Sequence, residues 1–539
     1  MKKNIFIICL LCSINLKAQV NENYSQLYDY LYRMALKGLV NLHDYVLPLG
    51  RNQFLTSLLE VKKNESNLTT TEKKELVFYL KDFFYDDLIK SSISKISFLK
   101  ADTAGRFRSF YNIGSSVQIF ADPVIGANYS KYTSKHNLNF YSGARIWGML
   151  GKNIAFNIMF RDVTEKGDSI NYKKDFTPVT GIVNTSRNNE ELNYSYLNFN
   201  LGYQWNNGSI SIGKDHINWG YGMAGKIVIS EKAPSFPYLR LDYHPFKWLH
   251  FNYFNGWLNS NLIDSSRSYN TGTGVGGSYR EVYRKKFLAN HSININAFKG
   301  LDIAIGESMV YSDQLDIGYL IPINFFKVYD QYASNYKVNG GSNAQFFGQI
   351  SSRNHIKKTH LYLVYFIDEL RVSKIFDKIE RRNQLGYTLG LNKTDFLLNY
   401  LTLGVEYTHI NPFVYSNLIP AQSYENSNYT MGDWMGNNAD RWYFSIKYTP
   451  IAKLKINLWY QQVRKGETGT LQQQYFQQPQ PDFLFGKLFT INDLGINVSY
   501  EWINRFIFFI NSKYQKKRYS NIEQISTDKE LRFGFFYGL

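Results

Sequence analysis

The chain has 539 residues, with 61 Lys and Arg against 44 Asp and Glu, a formal net charge of +17, and 17% aromatic residues. That aromatic load excludes a largely disordered chain. The two cysteines, Cys9 and Cys12, stand close together near the start, which excludes a disulfide scaffold and a cysteine-ligated metal site.

Lys2 and Lys3, the apolar run Ile5 to Leu11 and the small residue Ala18 have the form of a secretory signal peptide over residues 1–18. Leu11 is too large for lipoprotein processing at Cys12. Cleavage after Ala18 removes three lysines and no acid, taking the charge from +17 to +14. The mature chain then has no cysteine, which suits an exported protein.

Residues 19–100 are expected to be a small helical domain. Leu27, Leu31, Met34 and Ala35 share one helical face, and Gly38 is placed to end the helix. Phe54, Leu55, Leu58 and Leu59 mark a second helix. A third carries Leu76, Tyr79, Leu80 and Phe83, opened by Thr69 and Glu72 at capping-box spacing.

From about residue 101 to 539 the apolar period becomes two. Leu197, Phe199, Leu201, Tyr203 and Trp205 alternate with Asn, Gly and Gln. Leu403, Val405 and Tyr407 do the same, as do Leu454 to Tyr460 and Leu494 to Trp502. One apolar residue in two explains a mean hydropathy of −0.34 in a membrane-crossing chain. The rings suit the two bilayer interfaces. The fold expected is mainly β, a transmembrane antiparallel barrel. About 430 residues at roughly 25 per strand and its connections support about 16–18 strands. The irregular stretches 162–192, 261–283, 330–355, 411–440 and 464–490 read as loops, and the Gln/Pro run Leu471 to Pro481 as a flexible surface segment. The final Arg532-Phe533-Gly534-Phe535-Phe536-Tyr537-Gly538-Leu539 resembles the signal by which the barrel-insertion machinery recognises outer-membrane barrels.

Catalytic chemistry finds no footing. Asp215-His216 is the only adjacent acid–His pair, and strand neighbours point to opposite faces. Gly306-Glu307-Ser308 lacks the nucleophile elbow. No metal or cofactor motif appears. The basic residues are scattered, which argues against nucleic acid and for contact with outer-membrane lipid headgroups or an acidic glycan.

The stretch Gly213-Lys214-Asp215-His216-Ile217-Asn218-Trp219-Gly220-Tyr221-Gly222, followed by Ile229-Ser230-Glu231-Lys232-Ala233-Pro234-Ser235-Phe236-Pro237, resembles the Wzi family of outer-membrane capsule-assembly proteins. So do Tyr319-Leu320-Ile321-Pro322-Ile323-Asn324-Phe325-Phe326, Ile367-Asp368-Glu369, Glu406 to Ser416 and Gly436-Asn437-Asn438-Ala439-Asp440. The last departs from the family pattern in lacking a proline after Gly436. The resemblance implies an 18-stranded outer-membrane barrel, with the helical domain of residues 19–100 on the periplasmic side, that binds exported capsular or other surface polysaccharide and supports capsule assembly, without enzymatic activity. A related gliding-motility branch of Bacteroidota implies a role in motility or adhesin machinery, with a periplasmic or motility partner. A channel or porin is a third reading. Glycan-contact candidates in the motif loops are Asp215, Asn218, Trp219, Tyr221, Trp434, Asn437 and Asp440. The same glycine-rich turn and Ala-Pro-x-Phe-Pro segment could instead plug or cap the barrel.

Overall fold

The computed structural model describes residues 21–22, 24–83, 95–102, 105–114, 116–183, 185–188, 190–272, 277–336, 341–520, 522 and 524–538. The expected signal peptide and Leu539 lie outside them. Eighteen antiparallel strands close into one barrel. In chain order they are β1 (Val117–Lys131), β2 (His136–Leu150), β3 (Ile154–Gly167), β4 (Glu191–Trp205), β5 (Gly208–Asp215), β6 (Phe236–Phe246), β7 (Leu249–Ile263), β8 (Tyr283–Phe298) and β9 (Leu301–Ser312). The second half comprises β10 (Asn343–Arg353), β11 (Thr359–Leu370), β12 (Asn383–Thr394), β13 (Leu401–Ile410), β14 (Ala439–Ile451), β15 (Leu454–Lys465), β16 (Phe489–Ile503), β17 (Phe506–Tyr519) and β18 (Ile525–Tyr537).

Closure is made by β18 on β1, in register from Leu531↔Lys131 to Tyr537↔Ile125. Below that seam the start of β1 pairs instead with a hairpin, Lys95–Ala101 and Phe107–Ile113. Strand structure of the barrel sheet thus begins at Lys95.

The burial pattern is that of a globular protein turned inside out. The apolar face predicted for β16 is the exposed one, with Leu494 at 50% and Trp502 at 55%. In β13 the other face is buried: Thr402, Glu406 and Thr408 point inward. Only hydrocarbon makes that arrangement favourable, because strand neighbours alternate between lipid and lumen. At the end with short turns, Phe246, Trp248, Phe298 and Trp502 form an exposed ring of aromatics, where rings with one wet edge are stable. The long connections all leave the opposite end, apart from short β1–β2 and β17–β18 turns there.

Three helices precede the barrel: α1 (Ser25–Leu36), α2 (Arg51–Lys63) and α3 (Thr70–Asp82). The expected faces pack together, with Leu27, Leu31, Met34, Phe54, Leu58, Leu76 and Tyr79 in one buried cluster. Leu59 differs from expectation and is exposed. Gly38 ends α1 with φ +71, a conformation that favours glycine. The capping box forms: Thr69 N–H donates to Glu72 Oε2 at 3.0 Å, and Glu72 N–H to Thr69 Oγ1 at 3.4 Å. Thr69→Ala is expected to cost about 1 kcal/mol, read as a lowered unfolding midpoint in detergent.

Two segments differ from the sequence reading. The expected loop 330–355 contains strand β10 and a helix, α4 (Phe326–Tyr336), overlaps its start. The outward residues of β10 include Ala344, Gly348 and Ser352 and the inward ones Gln345 and Gln349, so its apolar alternation is faint. The Gln/Pro run forms a helical turn, α5 (Leu471–Tyr475), rather than a featureless loop. Thr470 caps it, and the buried Gln474 amide donates to Gln384 Oε1 at 3.1 Å.

Candidate functional site

The lumen is filled from both ends. From the short-turn end, the helices fasten to the wall through Tyr24 OH to Glu501, Arg33 Nη1 to Thr449 Oγ1 at 3.1 Å and Lys37 to Asp395 at 3.2 Å. The chain after α1 then runs inward. From the long-loop end, the β5–β6 connection folds down to meet it. Asn218 and Trp219 pair with Leu47 and Val46 in a two-residue antiparallel bridge, and Gly220 N–H donates to Tyr45 O at 2.8 Å. The β13–β14 connection folds in beside them, so that Tyr415, Tyr424, Met431 and Met435 join Trp219 and Val46 in one buried core.

Charged groups anchor this packing. Arg353 on β10 holds the Asp44 carboxylate at 2.7 and 2.8 Å and donates to Leu42 O at 2.7 Å. Tyr28 and Tyr221 hydroxyls donate to the same carboxylate. Arg441 on β14 grips Asp433 at 3.1 and 2.9 Å and lies 3.6 Å from Glu406. Glu406 accepts from the backbone of Met223 at 2.7 Å and the Tyr362 hydroxyl at 2.6 Å. One arginine thus ties both inward-folded loops to the wall.

The seven expected glycan contacts fall into three groups. Trp219 and Tyr221 are buried inside the plug. The Trp219 indole donates to Ser292 Oγ at 3.0 Å and packs edge-on to Phe347, with centroids 4.5 Å apart. Tyr221 lies between Arg353 and the His360 and Tyr362 rings. Both serve as packing groups here. Asp215 ends β5 and accepts from His216 N–H at 2.8 Å. Asn437 donates to Thr468 O at 3.1 Å, while Asp440 pairs with Arg464 and accepts from Tyr407 OH at 3.1 Å. Those contacts are made at strand ends and to the β15–β16 connection.

Asn218 and Trp434 come together. Both line a cleft of about 210 Å³, with Gly225, Lys226, Glu231 and Lys232. Asn218 Nδ2 donates to the exposed Glu231 at 2.8 Å. The Trp434 indole N–H donates to Ala224 O at 2.8 Å, and the ring, 7% exposed, packs edge-on to Phe176 with centroids 5.2 Å apart, so that only a small part of it borders the cleft. Lys232 spends its ammonium on Lys174 O at 2.6 Å and Val179 O at 3.0 Å. Half-buried Lys226 has no hydrogen-bond or ion-pair partner among the described residues. Burial pushes its ammonium down to about 8, opposed by Glu231 and Asp44. The margin of an indole, an amide, a carboxylate and an available cation in one small cleft can contact and hydrogen-bond a saccharide. Sequence reasoning leaves out Lys226, Glu231 and Lys232. Their signal is charge inside an otherwise apolar, proline-bearing motif. Among the described residues no group of His, Cys, Asp or Glu could hold a metal ion.

No family model matches the sequence, and no curated protein matches it. Solved structures do. The fold resembles that of Wzi from Escherichia coli. That outer-membrane protein is described as a carbohydrate-binding β-barrel involved in group 1 capsule assembly. The TM-score is 0.58 at 10% identity, covering 97% of this chain and 100% of Wzi. At that identity the likeness to Wzi establishes the fold, and it meets the resemblance drawn from the sequence motifs. Pseudomonas aeruginosa OprD gives a TM-score of 0.42 at 10% identity over 79% of this chain and 93% of its own, and OccK3 gives 0.41 at 11% over 78% and 95%.

Proposed function

We propose that the protein is a non-enzymatic outer-membrane barrel that binds exported surface polysaccharide in the Trp434 cleft and supports capsule assembly. The observation that carries this reading is the cleft itself, where two loops tied by Arg441 bring Trp434, Asn218, Glu231 and the unpaired Lys226 together. The packed lumen speaks against a channel. The unpaired ammonium favours a glycan with carboxylates.

Retention of an acidic polysaccharide on purified protein tests the site. Trp434→Ala is expected to weaken it roughly 2–10-fold, the range of a single ring contact. Lys226→Ala is expected to remove the pH dependence. In the parent protein Lys226 is cationic below about pH 8, so retention is full near pH 6.5 and falls as pH rises through 8. Unchanged retention in both variants, with normal heat-modifiable migration, would exclude the cleft. Intact capsule in a deletion strain that has lost surface spreading would move the function to motility machinery.

A further inference from the structure

The Tyr319-to-Phe326 motif takes no part in the cleft. It belongs to the β9–β10 connection, which turns down the outside of the barrel instead of into the lumen. The register settles this. In β9, Ala304 and Val310 join the lumen core, so Ile303, Ile305 and Glu307 point outward. Outward in β8 are Ile293, Ile295 and His291, the last paired with Glu307. Ile303, Ile305, Ile293 and Ile295 are exposed members of the apolar belt. Glu307 and His291 lie one rung above them on the same face, yet Glu307 is buried.

What buries them is the segment 315–336. The Glu307 carboxylate accepts from the backbone N–H of Phe326 at 2.9 Å and of Lys327 at 2.6 Å, capping α4 at its positive end. His291 stacks on Phe326 with centroids 4.3 Å apart, and its Nδ1 lies 2.9 Å from Pro322 O. Tyr253, also outward, donates to Tyr319 O at 3.0 Å. A bare carboxylate and imidazole beside the belt would be costly in hydrocarbon. The segment satisfies them and replaces their surface with its own. Its outer surface is apolar near the N-terminal end of α4: Ile323 is 85% exposed, and Ile321, Phe325 and Val328 are exposed too. Further along α4 the exposed residues include Gln331 and Asn335.

We propose that segment 315–336 is a lipid-embedded clasp: Ile321, Ile323, Phe325 and Val328 insert among the acyl chains of the outer leaflet, and the polar C-terminal half of α4 rises to the headgroups. The occupant is lipid because the apolar surface is continuous with the belt residues Ile303 and Ile305 directly below it. An exposed apolar patch with that gradient is the form of an interfacial helix. The clasp is independent of the glycan reading and requires only that the barrel sits in a bilayer.

The absence of cysteine after Cys12 makes the test direct. Ile323→Cys and Val328→Cys variants of the full chain, made with Cys9→Ser and Cys12→Ser and labelled with an environment-sensitive fluorophore, are placed in phospholipid vesicles. Phe376→Cys, at a position 93% exposed in the β11–β12 connection, is the aqueous comparator. Heat-modifiable migration confirms a folded barrel at each position, and Ile321→Cys replaces either of the first two if it fails. Quenching by nitroxide on the acyl chains is expected to be at least about twofold stronger at 323 and 328 than at 376, with iodide quenching reversed. Iodide access at 323 equal to that at 376 would overturn the clasp. Shielding from both quenchers would also overturn it, in favour of a second copy of the chain on this face.

Discussion

Arg441→Ala is expected to destabilise the protein by about 3–5 kcal/mol, the scale for removing one partner of a buried charge cluster. Asp433 and Glu406 are both fully buried, and Arg441 is the cation between them. Its loss leaves two carboxylates facing each other across the mouth of the inward-folded loops. The loops then release one another. Trp434 loses its place against Ala224, so polysaccharide retention drops together with the unfolding midpoint. The strand ladder is untouched, so heat-modifiable migration is retained. Arg441→Lys keeps a charge and is expected to recover part of the stability, since an ammonium cannot match the paired contacts to Asp433. An unfolding midpoint for Arg441→Ala equal to the parent's would contradict this account.

Arg353→Ala is expected to act at the opposite end of the plug with a similar cost, about 3–5 kcal/mol. The side chains of Arg353 and Asp44 are 4% and 0% exposed. Without the guanidinium, the Asp44 carboxylate is buried with only tyrosine hydroxyls as partners. The N-terminal helices then detach from β10 more readily, which limited proteolysis reads as earlier cleavage near Lys37. The combined change Arg353→Met with Asp44→Leu removes both charges. It is expected to regain most of the loss, short of about 1 kcal/mol for each tyrosine hydrogen bond given up. A double variant as unstable as the single one would show that the anchor works by packing and not by charge.

The barrel was legible in the sequence because strand alternation is local. Leu494 to Trp502 alternates whatever lies beside it, and each such run carries its own evidence of one dry and one wet face. The helical faces around Leu27, Leu58 and Leu76 and the Thr69 capping box are local in the same way. Faint strands were lost where the outward face is small, as in β10.

The inward fold of the loops was not legible. Tyr221 meets Asp44 across 177 residues, and Ala224 meets Trp434 across 210. No period in either segment records such a meeting. Trp219 and Trp434 have the same residue type in equally recognisable motifs, yet one is sealed in the plug and the other lines the cleft. Lys226 becomes an unpaired cation only because of what surrounds it, and Ile323 turns toward lipid only because Glu307 and His291 receive its segment on the outer wall. The sequence by itself determined a membrane barrel, an expected route of export and a helical start, since those rest on short-range periodicity and composition. The tertiary structure alone decided what fills the lumen, which ring borders the cleft and which loop lies on the outer wall, because each depends on charges and rings brought together from distant parts of the chain.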